Sequence, residues 1–167
     1  MGAGKTAVGR QLASKLGLDF YDSDQEIERR TGVDIAYIFE KEGERGFRER
    51  ERDVIADLTA LRGIVLATGG GAILDPENRK RLRETGTTVL LDTSIEQQLK
   101  RTNRSMTRPL LMTDDPRAVL LQLRETRAPL YEEIADIAVD TTGRRVKNVV
   151  MLVYRELRSR NFVPLQT

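Results

Sequence analysis

Short apolar runs alternate with longer amphipathic stretches from one end of the chain to the other, and this alternation constrains the fold most. Strands separated by helical stretches make an α/β domain with a mostly parallel sheet. Strands are predicted over residues 18–21, 64–68, 88–92 and 137–140. Val, Leu and Ile dominate the middle two, as expected of strands covered on both faces. Helices follow from the apolar period. Val8, Leu12 and Leu16 stand four apart, with Gly17 as a stop. Phe47, Val54, Leu58 and Leu61 mark one face of a second helix. Val146, Val149, Val150, Val153 and Leu157 mark the last. Further helices are predicted over 25–31, 76–84, 95–102 and 116–128. Residues 103–115 contain Pro109, are largely polar and show no period, so they read as a long mobile loop. The 167 residues suffice for one domain, with no repeat or linker.

Composition excludes several chemistries. The chain has no Cys and no His. Thiolate nucleophiles, imidazole bases, Ser-His-Asp triads and ordinary zinc sites are therefore out of reach. Catalysis would rest on Asp, Glu, Lys, Arg, Ser, Thr, Tyr and a hard metal such as magnesium. Lys and Arg number 28 against 26 Asp and Glu, and the two signs are interleaved. A nucleic-acid partner would call for a basic face and aromatic stacking platforms, and neither is visible. No apolar run approaches a membrane span and no secretory signal is seen, so a cytoplasmic setting without a membrane partner is expected.

The opening Gly2-Ala3-Gly4-Lys5-Thr6 runs straight into a helix, like the second half of a Walker A loop. Backbone N–H groups and the helix N-terminus would cradle phosphate oxygens. Lys5 would reach the β- and γ-phosphates, and the Thr6 hydroxyl would bind magnesium. The plainer alternative is a glycine-rich tail capping the helix. The full motif has a further Gly and a buried strand ahead of it, which this sequence does not contain. That strand ordinarily lies in mid-sheet. Without it two neighbouring strands would each keep one unpaired edge, and impaired folding and weak nucleotide binding are expected. Either a start assigned too late or a truncated product would account for this.

Asp22-Ser23-Asp24 follows the first strand, where an open parallel sheet faces its ligand crevice. One carboxylate could hold magnesium through water and the other accept a proton from an alcohol. Equally, Ser23 or Asp24 could simply cap the next helix. Gly69-Gly70-Gly71 ends the second strand, which suits close approach of backbone to a ligand or a plain flexible turn. Arg48 and Glu51 stand three apart on a helix, close to the apolar stripe, and can form a partly buried ion pair. Arg48 would then be held rigid for a carboxylate; a solvated charged helix is the bland alternative. Arg101, Arg104 and Arg108 lie in or beside the 103–115 loop, as in a lid closing over a phosphoryl group, or as ordinary surface charge.

Together these segments resemble the shikimate kinase family. The resemblance is carried by Gly2-Ala3-Gly4-Lys5-Thr6, Asp22-Ser23-Asp24, Gly46-Phe47-Arg48, Gly69-Gly70-Gly71, Arg108-Pro109-Leu110-Leu111 and Arg127-Ala128-Pro129-Leu130-Tyr131, in that order across nearly the whole chain. It implies a single P-loop kinase domain over 1–167, a central parallel sheet flanked by helices in three layers, and here a missing first central strand. A substrate-binding helical region would span about 23–61 and a lid about 103–115. The implied reaction moves the ATP γ-phosphate to the 3-hydroxyl of shikimate, on the route to chorismate and aromatic amino acids.

The resemblance also implies the site. Lys5, Asp24 and Arg108 would be catalytic, with Asp24 as base. Gly2, Ala3, Gly4, Lys5, Thr6, Ala7, Arg101, Arg108 and Arg144 would contact ATP. Asp24, Arg48, Gly69, Gly70, Gly71 and Arg127 would bind shikimate. Thr6, and Asp22 through water, would hold Mg2+. Where many relatives follow the loop Lys with Ser-Thr, this chain has Thr6-Ala7, which loses only a second hydroxyl. A monomer is expected. The competing readings are a kinase for another small hydroxy acid such as gluconate, and an inactive remnant.

Overall fold

Two pairs of parallel strands carry the fold of the computed structural model, which describes residues 2–102 and 113–162. In chain order the elements are α1 (Lys5–Leu16), β1 (Asp19–Asp22), α2 (Ser23–Thr31), α3 (Ile35–Ala60), β2 (Ile64–Ala67), a 3-10 turn (Ala72–Leu74), α4 (Pro76–Thr85), β3 (Val89–Asp92), α5 (Ile95–Thr102), α6 (Pro116–Ile134), β4 (Ile137–Asp140) and α7 (Val146–Ser159). β1 pairs with β2, Asp19 opposite Ile64 and Asp22 opposite Ala67. β3 pairs with β4, Val89 opposite Ile137 and Asp92 opposite Asp140. All four predicted strands are present, each within a residue or so of its expected bounds.

Among the described residues the pairs form two separate two-stranded sheets. A cavity of about 670 Å³ lies between them, lined by β2 along one side and β3 along the other. Val8 and Leu12 of α1 and Leu120 and Ile134 of α6 also line it. β2 and β3 thus turn their unpaired edges toward the cavity, while β1 and β4 hold the outer edges of the two sheets.

Two apolar clusters fix the helices. Val8 and Leu12 of α1 pack with Ile137 and Val139 of β4 and with Val149, Val150, Val153 and Leu157 of α7. Ile27 of α2 packs with Ile38, Phe47, Val54 and Leu58 of α3. Arg30 reinforces this second contact, joining Glu26 at 2.7 Å to Asp57 at 2.6 Å. α1 stops at Gly17, whose left-handed φ of 68° lets its N–H turn back to Ala13 and Ser14.

Three predicted bounds change. α3 begins at Ile35, with a non-helical kink at Gly43, φ 70°. Its first half has a short apolar period of its own, Ile35, Ile38 and Phe39, which ends at the charged run before Gly43. Leu61, expected on the buried face, is the extended residue after α3 and is 44% exposed. α6 continues through Pro129 to Ile134 rather than stopping at 128. Pro129 has no N–H to donate, but burial of Leu120, Arg127 and Ile134 anchors the helix on both sides. Of the expected lid, residues 103–112 lie outside the described residues. No helix among those described is long and apolar enough to cross a membrane.

The paired and unpaired edges make opposite demands on the backbone, and hydrogen exchange reads this directly. Amides of β2 and β3 directed into the cavity should exchange much faster than those bonded to β1 and β4. Equal protection on both edges would contradict the two-sheet arrangement.

Candidate active site

Strand ends gather the polar groups. β1, β3 and β4 each finish on an aspartate, and β2 runs into Thr68 and the triple glycine. This is the end of a parallel sheet at which ligands bind.

The phosphate-loop residues sit at the start of α1. Gly2 and Gly4 adopt left-handed φ values of 69° and 87°, which a residue with a side chain would resist. Gly4 is the N-cap and its carbonyl accepts from Val8. Lys5 opens the helix and, with the buried Ala3, lines the central cavity. Ala7 lies in the first turn.

The Thr6 hydroxyl donates to Asp22 Oδ2 at 2.7 Å, so the two predicted magnesium ligands lie side by side. Asp22 Oδ1 accepts from the Asp24 N–H at 3.0 Å. Asp22 is therefore the cap of α2, in place of Ser23 or Asp24 as the sequence suggested. Among the described residues no cluster of three or more acidic side chains is placed to hold a metal. One hydroxyl and one carboxylate are hard oxygen donors of the kind magnesium takes alongside waters and phosphates.

A second group of residues converges on Gly69-Gly70-Gly71. The fully buried Ser23 hydroxyl accepts from the Gly69 N–H at 3.0 Å, tying α2 to the glycine turn. Arg48 Nη1 donates to Glu51 Oε2 at 2.6 Å, and Nη2 to Glu44 Oε1 at 3.0 Å. Glu51 is 1% exposed, more deeply buried than the sequence suggested. Burial pushes its pKa up, Arg48 opposes this, and the Asp24 carboxylate adds to the rise. From α6, Arg127, 6% exposed, donates to the Gly70 carbonyl at 3.2 Å. The Tyr131 hydroxyl donates to the same oxygen at 2.5 Å.

The glycines are required by sterics here. A Cβ on Gly69 would stand 2.7 Å from Asp24 Oδ1 and 2.8 Å from Glu51 Oε1. A Cβ on Gly71 would collide with the Arg48 guanidinium. Among the described residues the N–H groups of Gly70 and Gly71 donate to no protein acceptor. Two arginines and two backbone donors thus surround one short turn, with the Asp24 carboxylate beside it. A small anion with hydroxyl groups matches this set.

The remaining predicted residues divide. Arg101 Nη1 donates to the Gly2 carbonyl at 2.8 Å, bringing the end of α5 to the phosphate loop. Gln97, also on α5, accepts from the Gly143 N–H at 3.3 Å. Arg144 follows this loop, exposed, with Nε donating to the Asp140 carbonyl at 3.0 Å. Arg104 and Arg108 lie outside the described residues. In the sequence Ser23 has no evident task beyond capping, and Tyr131 has none. Their contacts with the glycine turn span 46 and 61 residues, and no local pattern signals them.

The family model for shikimate kinase matches residues 1–158. The chain belongs to the shikimate kinase family. It is 57% identical over 157 residues to a shikimate kinase of Vibrio cholerae, covering 94% of this chain and 90% of that one. A Francisella tularensis subsp. novicida shikimate kinase is also 57% identical, over 151 residues, covering 90% and 86%. Among solved structures, shikimate kinase from Acinetobacter baumannii in complex with shikimate superposes with a TM-score of 0.94 at 48% identity, covering 96% and 89%. Shikimate kinase from Aquifex aeolicus follows at 0.81 and 34%, covering 96% and 93%. The α/β P-loop expectation and the family resemblance are borne out.

Replacing Gly69 by Ala tests the steric reading. The added methyl must displace Asp24 or Glu51, and overpacking of this kind costs about 1–3 kcal/mol. Urea denaturation of Gly69→Ala should show a loss of that size, and an unchanged midpoint would contradict the close approach.

Proposed function

We propose that this chain transfers the γ-phosphate of ATP to the 3-hydroxyl of shikimate. The observation that carries the reading is the convergence of Arg48, Arg127 and two backbone N–H groups, unpaired among the described residues, on one glycine turn, next to Asp24 and to a phosphate loop. Shikimate is a small carboxylate with several hydroxyls, and each part of it has a matching group.

In this reading Arg48 and Arg127 grip the carboxylate and set the orientation of the ring. Arg48 is kept rigid by Glu51 and Glu44, so little freedom is lost when substrate arrives. Asp24 accepts hydrogen bonds from the hydroxyls and takes the proton of the attacking 3-hydroxyl. The loop from Gly2 to Thr6, with Ala7 behind it, cradles the ATP phosphates, and Lys5 offsets their charge. Arg101 and the 141–144 loop with Arg144 border the adenine. Arg108 is assigned to the phosphates by the family motif alone. Magnesium, held by Thr6 and through water by Asp22, would neutralise phosphate charge. Positioning and positive charge supply most of the rate in phosphoryl transfer.

ADP release measured with shikimate and with gluconate as acceptors tests the substrate. Turnover with shikimate and none with gluconate is expected; turnover with gluconate alone would overturn the proposal. Two variants test the roles. Asp24→Asn should lower kcat by about 10²–10⁴-fold, the usual weight of a positioned base, and leave ATP binding intact. Equal loss of both would mark Asp24 as structural. Arg48→Lys keeps a charge beside Glu51 but loses the fork. It should raise the shikimate KM by about tenfold, roughly 1.4 kcal/mol of lost carboxylate binding, and leave the ATP KM unchanged. An effect on ATP alone would move Arg48 out of the carboxylate site.

A further inference from the structure

The Gly70 carbonyl is claimed twice. Tyr131 Oη donates to it at 2.5 Å and Arg127 Nη1 at 3.2 Å, so the tyrosine makes the shorter bond and the arginine the longer. Both donors come from α6, four residues apart on one face. A guanidinium carries five N–H groups in a fixed fork, and bidentate grip on a carboxylate uses two of them in parallel. An arginine that must also satisfy a half-buried carbonyl is restrained in how it can turn. If it turned away and nothing replaced it, the carbonyl would lose a donor in a site only partly open to water, at a cost in free energy.

We infer that Tyr131 is a positioning residue that holds the Gly70 carbonyl so that Arg127 is released to the substrate carboxylate. The tyrosine acts through Arg127 and needs no contact with substrate. In the free protein Arg127 rests against Gly70, already close to the anion site. When substrate binds, the guanidinium turns its fork to the carboxylate and the phenol alone keeps the carbonyl satisfied. The glycine turn therefore keeps its shape, and the Gly70 and Gly71 N–H groups stay where they are. Burial raises the Tyr131 pKa above its ordinary value. The hydroxyl accordingly remains a donor across the physiological pH range.

The inference rests on the proposed carboxylate role of Arg127, and a double-mutant cycle separates the two. The measurement is shikimate affinity by calorimetry, with ATP affinity and the thermal midpoint followed in parallel. The proteins are the unaltered chain, Tyr131→Phe, Arg127→Lys and the double variant. Phe keeps the ring and its packing and removes only the donor. Tyr131→Phe is expected to weaken shikimate binding at least fivefold, with ATP affinity within twofold and the thermal midpoint little changed. In the Arg127→Lys background the same change should add less than twofold, because the group through which the tyrosine acts is already lost. Full additivity, or no effect of Tyr131→Phe on the unaltered chain, would overturn the inference. Equal weakening of shikimate and ATP would also overturn it, since that marks general loosening. Absence of shikimate binding by the unaltered chain would instead overturn the proposed function.

Discussion

The ion pair between Arg48 and Glu51 is the contact on which the candidate site depends. Glu51 is almost wholly enclosed, and a carboxylate so placed is tolerable only beside an opposite charge. Arg48 supplies that charge at 2.6 Å, and Glu44 holds its other side. Removing one member of such a pair strands the other and costs about 3–5 kcal/mol. The guanidinium is thus locked into one orientation before any ligand arrives. Its neighbours follow from this. Gly71 must lack a side chain because Arg48 lies against it, and Gly69 must lack one because the Glu51 and Asp24 carboxylates do. The glycine turn, the acid beside it and the cation above it are consequences of one buried pair.

The strand pairs set the distance between this cluster and the phosphate loop. β1 ends on Asp22, which caps α2 and meets Thr6 at the start of α1. β2 ends at the glycines, which Ser23 draws toward α2. Two adjacent strand ends therefore bring a phosphate cradle, a pair of oxygen donors for magnesium and an anion site into one crevice. The cavity between β2 and β3 is the weak part of this frame. Both strands present backbone there that no described residue bonds, so cohesion between the halves rests on helices packed across them. α1 packs against α7 and β2 and so spans both halves.

What the sequence revealed and what it concealed divide along physical lines. Strands and helices with a strong apolar period, such as Val8 and Leu12 or the run from Val146 to Leu157, were legible because burial itself imposes that period. The first half of α3 was less so, because its apolar period is only Ile35, Ile38 and Phe39 before the break at Gly43. Pro129 argued for an end to α6, yet tertiary anchors on either side outweigh one lost hydrogen bond. The phosphate loop and the Thr6–Asp22 pair could be anticipated from motif chemistry. The partly buried Arg48–Glu51 pair could also be anticipated, though not how deeply Glu51 is enclosed. The Ser23 bond to Gly69 and the double claim on Gly70 could not, since each depends on segments that meet only when the chain folds.

The central claim is that the crevice directs a phosphoryl group from ATP to one hydroxyl of shikimate rather than to water. The most direct measurement is phosphorus NMR of the products after incubation with magnesium, ATP and shikimate. ADP in equal amount with a phosphate monoester on the shikimate 3-hydroxyl is the expected result. ATP consumed to inorganic phosphate with shikimate intact, or a phosphate on another hydroxyl, would contradict it.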